Sequence, residues 1–147
     1  MGAVVPVRGD LFASETSLGH CISQDCHLRK GVAGQIRRFF GNVQEIKAQN
    51  RRVGQVAITK IPGSIQGFPR YVFHLVTKRY FWQKPSVSTL AQALTSLKYH
   101  LMEMEINQVS VPWLGAGRDR LSKSEVWNLL NTIFTGSGIT VYVYSLE

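Results

Sequence analysis

Acidic residues are scarce in this chain: nine aspartates and glutamates stand against seventeen lysines and arginines, a formal charge of +8 at pH 7. That imbalance implies attraction to polyanions such as nucleic acids and nucleotides. The basic residues are spread along the chain, which argues against a disordered basic arm. Cysteine is scarcer still. Cys21 and Cys26 are the only two, too few for a disulfide framework, and reduced intracellular thiols are expected. With His20 and His27 they match no familiar zinc spacing, so neither a metal nor another cofactor is expected. No apolar run approaches the roughly 20 residues that span a bilayer, which sets membrane partners aside. The first residues, Met1-Gly2-Ala3-Val4-Val5-Pro6, lack the charged start of a secretory leader, and Pro6 spoils a myristoylation signal. The GxxxxGK[ST] phosphate loop and the GxGxxG dinucleotide fingerprint are both missing. No repeat, low-complexity stretch or linker divides the 147 residues, so a single domain over 1–147 is expected, with a monomer as the default.

What is present reads as alternating strands and helices. Ala3 to Arg8 is a first strand, and Pro6 favours an edge position. Leu18 to Ser23 is a second, buried strand, in which His20 reads as a core histidine with satisfied ring nitrogens. Val32, Ile36 and Phe39/Phe40 mark one face of a helix closed by Gly41. A short helix near Val43 to Ala48 follows. Gln55 to Ile61 alternates as a strand that Pro62-Gly63 should stop, with a loop over Ser64 to Arg70. Tyr71 to Thr77 is apolar nearly throughout, as an interior strand should be. Ser86 or Ser88 caps a long helix whose Leu90, Leu94, Leu97 and Leu101 form a buried stripe. After a strand at Val109 to Leu114, a helix carries Val126, Leu129, Leu130 and Ile133. Ile139 to Leu146 is the last strand. This order predicts an α/β protein, a three-layer α/β/α domain with a central mixed sheet of about six strands.

The chemistry gathers at four predicted strand ends: Gly9-Asp10, Ser23 to Gly31, Thr77-Lys78, and Gly115 to Asp119. In α/β folds the carboxyl edge of the sheet is where ligands bind. Gly115-Ala116-Gly117 lets the backbone approach a ligand closely, and successive N–H groups in such a turn suit a diphosphate. Ser122 and Glu125 beyond it have capping-box spacing. Lys78 is either a solvated strand-end cation or a nucleophile that attacks a sugar C1 and forms a Schiff base. Asp119 is either a proton shuttle or the partner of Arg118 or Arg120 in a surface ion pair. Tyr80-Phe81-Trp82 is read as packing against the core, with base stacking or a lid as the other uses.

These residues resemble the macrodomain family, and within it the terminal ADP-ribose protein glycohydrolase branch. The match runs through Gly9-Asp10-Leu11-Phe12-Ala13, Ser17 to Cys26, Lys30-Gly31-Val32-Ala33, Leu75-Val76-Thr77-Lys78-Arg79, Lys84-Pro85 and Pro112 to Leu121. The joint occurrence of Thr-Lys and Gly-x-Gly-x-Asp-Arg-Leu in this order carries the specificity. The resemblance implies an intracellular enzyme of the nucleus or cytoplasm that removes ADP-ribose from acidic side chains, including in the DNA damage response. O-acyl-ADP-ribose is a further implied substrate. Lys78 and Asp119 take the catalytic roles. Asp10 and Leu11 fall at the adenine, and Ser23, Gly31, Val32 and Ala33 at the phosphates and distal ribose. Thr77, Pro112, Leu114, Gly115, Ala116, Gly117 and Arg118 line the site, with Tyr144 and Leu146 near the adenosine. The implied partners are ADP-ribose and ADP-ribosylated proteins, with poly(ADP-ribose) or RNA on the basic surface. Arg29 and Ala116 depart from the family's usual glycine and cysteine, and residues are inserted near Gly63 to Pro69. The alternative is a non-catalytic reader of ADP-ribose or poly(ADP-ribose).

Overall fold

A computed structural model describes residues 2–29, 31–65, 67–115 and 121–146, with side chains set aside over 63–65. The strands are β1 (Ala3–Arg8), β2 (Ser17–Ser23), β3 (Val56–Ile65), β4 (Phe68–Lys78), β5 (Gln108–Pro112) and β6 (Thr140–Ser145). The helices are α1 (Gly31–Phe40), α2 (Val43–Ala48), α3 (Val87–Glu103) and α4 (Lys123–Phe134), with a 3-10 turn at Leu11–Ala13. The described strands form one sheet in the order β1-β6-β5-β2-β4-β3. Every pairing is parallel except β3 with β4. Pro6, which has no N–H to give, sits on the edge strand β1.

Helices cover both faces. On one, α3 and α4 lay Leu90, Leu94, Leu97, Leu101, Val126, Leu130 and Phe134 over Phe73, Leu75, Val109, Val111 and Val141. The leucines of α3 recur at helical spacing, so one face is apolar and the other polar. On the opposite face, Ile36 of α1 joins Leu11, Leu18, Ile61 and Val72, while Ile46 of α2 joins Ile22, Leu28, Ala57 and Val76. Val32 and Phe40 also pack there. Phe39 does not: it is 65% exposed and rests on the Phe12 ring, centroids 4.9 Å apart. Positions 32, 36 and 40 share a face at i, i+4 spacing, and 39 falls beside it.

Each long helix on the α3/α4 face starts on a serine. Ser86 Oγ accepts from Thr89 N–H at 3.0 Å, and Thr89 Oγ1 accepts from Ser86 N–H at 3.0 Å, a reciprocal capping box. Ser122 Oγ accepts from Glu125 N–H at 3.1 Å, but Glu125 returns its carboxylate to the Ser122 hydroxyl instead of the backbone. Ser86→Ala is expected to cost about 0.5–2 kcal/mol, read as a lower urea midpoint with unchanged slope.

The hairpin departs from the sequence expectation. Pro62-Gly63 does not end the strand, and Ser64 to Arg70 is not a loop. β3 runs on to Ile65, and β4 begins at Phe68, with Ser64 opposite Pro69 and Ile65 opposite Phe68. The register shifts between Ile61 and Ser64, so the proline and glycine are absorbed in an irregularity. β3 is an edge strand, where such a bulge leaves few N–H groups without partners.

Candidate functional site

The carboxyl ends of the parallel strands lie along one edge of the sheet. β2 and β4 pair regularly up to Ile22 opposite Val76, then the register slips so that Ser23 faces Lys78. One extra residue, Thr77, is thereby accommodated on β4. Its side chain is buried with a hydroxyl that finds no partner among the described residues. The two chains stay joined beyond the slip, through Gln24 N–H to Lys78 O at 2.8 Å and Asp25 N–H to Arg79 O at 3.2 Å. A bulge of this kind re-aims the side chain that follows it. Lys78, half-buried, borders a cleft of about 520 Å³.

Eight residues singled out from the sequence line that cleft: Ser23, Gly31, Val32, Ala33, Lys78, Pro112, Leu114 and Gly115. They come from β2, the first turn of α1, the end of β4 and the turn after β5. Gly31 opens α1 at φ +59 and Gly115 sits at φ +68, backbone states in which a side chain is strained. The N–H groups of a helix's first turn have no partner within the helix and favour an anion. Leu121 N–H bonds to Gly115 O at 2.8 Å and pins the far end of the turn. Ala116, Gly117, Arg118 and Asp119 lie outside the described residues.

Five other expected site residues stand apart from this lining. Asp10 is exposed and its carboxylate accepts from Phe12 N–H at 3.0 Å, capping the 3-10 turn. Leu11 is in the core, and Tyr144 packs on the cluster that holds it. Thr77 is buried near the end of β4, and Leu146 is 80% exposed beyond β6. The ends of β1 and β6 are adjacent, with Gly9 N–H bonded to Ser145 O at 2.8 Å.

The cleft has walls beyond the expected lining. His27, Phe81, Trp82 and Trp113 all line it. Phe81 stacks on His27 with centroids 3.9 Å apart, and Tyr80 stacks on Trp82 at 5.6 Å. Tyr80, Phe81 and Trp82 are therefore not packed in the core: they are 40, 48 and 68% exposed. The turn that carries them is tied down by polar groups. Asp25 accepts from Phe81 N–H at 3.2 Å and from the Ser23 hydroxyl, and Gln83 accepts from Tyr80 N–H at 2.9 Å. Trp113 lies under the Lys123 ammonium, 5.6 Å from its centroid. For Phe81 and Trp82 the signal was three consecutive aromatics in a basic, otherwise polar loop.

Behind the cleft, a polar row crosses the sheet between the two apolar clusters on the α1/α2 face. His20 Nε2 and His74 Nδ1 are 2.6 Å apart, and His74 Nε2 lies 2.8 Å from Thr59 Oγ1. His20 is thus half satisfied: its Nδ1 is buried with no partner among the described residues. Burial lowers the His20 pKa to about 3, and burial together with His20 holds His74 well below its usual value. Both rings fold neutral. Below pH ~6.5 the unfolded chain binds protons that the folded chain refuses, so stability present at neutral pH falls as pH drops toward 3. Each ring contributes a slope of up to about 1.4 kcal/mol per pH unit. Urea midpoints measured from pH 7 to 4.5 are expected to fall steeply, and His20→Leu with His74→Leu to flatten the fall.

A family model described as Macro domain matches residues 20–130 of the chain. The human protein named ADP-ribose glycohydrolase OARD1 is 36% identical over 142 residues, covering 95% of this chain and 90% of that protein. The DNA ADP-ribosyl glycohydrolase of Thermus aquaticus is 30% identical over 144 residues, covering 94% of this chain and 40% of that protein. Among solved structures, the macrodomain of Thermus aquaticus DarG has a TM-score of 0.88 at 25% identity, with 99% of each chain covered.

Proposed function

The chain belongs to the macrodomain family, and from that membership we propose that it is an ADP-ribose glycohydrolase acting on ADP-ribosyl esters. The observation that carries the reading is one juxtaposition. Lys78 borders the same cleft as the first turn of α1 and the glycine turn at Gly115. The helix start and the turn offer backbone N–H groups to the diphosphate. The ribose then extends toward Lys78. The human relative, an ADP-ribose glycohydrolase, and the Thermus relative, a DNA ADP-ribosyl glycohydrolase, support glycohydrolase activity.

In this reading the neutral Lys78 amine attacks C1 of the ribose and the C1–O bond to the acyl group breaks. The carboxylate leaves with that bond's electron pair. Ring opening gives a Schiff base between Nζ and C1, with the amine's proton passing to the ring oxygen. Water then adds to C1, the C–N bond breaks, and ADP-ribose and free lysine are restored. Asp119 is assigned the proton transfers from its place in the Gly-x-Gly-x-Asp-Arg-Leu motif. The net reaction consumes one water and yields a carboxylic acid and ADP-ribose. Esters of glutamate and aspartate and O-acyl-ADP-ribose share that reacting carbon.

The test is release of ADP-ribose from a protein carrying glutamate-linked mono-ADP-ribose, beside calorimetry with free ADP-ribose. Release together with binding is expected. Binding without release would make the chain a reader of the modification.

A further inference from the structure

The cleft does not end at Lys78. A second hollow of about 500 Å³ shares Lys78, Trp82, Gln83 and Lys84 with it and adds Val53, Thr77, Arg79, Ser86 and Thr89. Gly31 and Gly115 line the first hollow and not the second, so Lys78 stands between two unlike spaces. The second is set up for negative charge. Arg79 and Lys84 are exposed in its wall, and no carboxylate is among the described residues that line it. Ser86 and Thr89 belong to the start of α3, a 17-residue helix whose N-terminus carries partial positive charge. Their capping box uses the N–H groups of Ser86 and Thr89, and the other N–H groups of a first turn have no partner within the helix. Thr77, 1% exposed, adds a buried hydroxyl with no partner among the described residues.

We propose that the second hollow is the leaving-group side of the site and selects esters whose acyl part carries a further carboxylate. A modified glutamate or aspartate within an acidic stretch of protein has that chemistry. The subsite rests on the hydrolase reading. With the diphosphate at α1 and Gly115 and the ribose C1 at Lys78, the acyl group extends away from the cradle into this hollow. A neutral acyl chain has no use for two cations and a helix start. The Arg79 guanidinium, 5.5 Å from the Tyr80 ring centroid, is the group whose fork suits a carboxylate.

Two peptides test it, each carrying one glutamate-linked ADP-ribose, flanked by glutamates in one and by glutamines in the other. The ratio of their kcat/KM values, acidic over neutral, is expected to be about 5 or more at low salt. It should approach 1 as salt screens the contacts. Arg79→Gln should lower the ratio about 1.5- to 5-fold, and adding Lys84→Gln should bring it near 1. Lys60→Gln removes the same charge from the edge strand β3, outside the hollow, and should leave the ratio unchanged. A wild-type ratio near 1, or equal losses in Arg79→Gln and Lys60→Gln, would overturn the subsite. Affinities of the same peptides for Lys78→Ala separate its failure from that of the hydrolase. Tighter binding of the acidic peptide, without release by the wild type, would uphold the charge-selective hollow and discard the hydrolase. Release of both peptides with equal kcat/KM and equal affinity would do the reverse.

Discussion

Lys78→Ala is expected to lower ADP-ribose release on the order of 10³-fold or more, about 4 kcal/mol of barrier, while ADP-ribose affinity stays nearly intact. The separation follows from position. Lys78 comes at the end of β4, past the register slip that sets Ser23 opposite it. The groups suited to the diphosphate belong to α1 and the turn after β5, elements separate from β4. Removing the amine takes away the attacking atom and leaves the cradle. Lys78→Arg should be almost as inactive, because a guanidinium keeps its charge and does not give up a proton near neutral pH. Comparable loss of binding and turnover would make Lys78 a ligand contact instead.

The second large effect is expected at Gly115. Its φ of +68 is a state that a β-branched residue rarely adopts. A Cβ built there falls 2.6 Å from Leu121 Cδ1. Leu121 also closes the turn through its N–H bond to Gly115 O. Gly115→Val therefore strains the backbone and pushes the segment that defines the cradle. A loss of at least ~100-fold in ADP-ribose affinity is expected, about 2.7 kcal/mol. Gly136 provides the control. It has a similar φ of +77, open space where a Cβ would go, and no part in the cleft lining. Gly136→Val should cost stability of about 1–2 kcal/mol from the left-handed backbone without touching affinity. Equal affinity losses in the two variants would mean that general destabilisation is responsible, not the shape of the turn.

Much of this architecture was legible in the residue pattern, for identifiable reasons. The leucines of α3 fall at 90, 94, 97 and 101, so a single periodicity marks both the helix and its buried face. Tyr71 to Thr77 is apolar on both faces, which places it inside the sheet, where β4 has neighbours on either side. The Lys78 and Gly115 positions could be picked out because they are local: a strand end and a glycine turn are written in consecutive residues. Features that depend on register were not legible. The His20–His74 contact joins residues 54 positions apart and exists only because β2 and β4 pair in that alignment. The slip facing Ser23 with Lys78 is likewise a property of two strands together. Pro62-Gly63 misled because a local breaker can be absorbed at a sheet edge. The aromatic turn misled differently. Burial is the usual fate of three large rings, but here backbone N–H groups of the turn are held by Asp25 and Gln83, leaving the rings at the cleft mouth.

Trapping tests the proposed covalent role of Lys78 most directly. Enzyme turning over an ADP-ribosyl ester is quenched with borohydride, which reduces a Schiff base to a stable amine, and its peptides are weighed. A single ADP-ribosyl adduct on Lys78 is predicted in the wild type. More of it should accumulate in Asp119→Asn, and none should form in Lys78→Ala. Turnover by the wild type with no adduct at Lys78, or the same adduct yield at another lysine in Lys78→Ala, would contradict it.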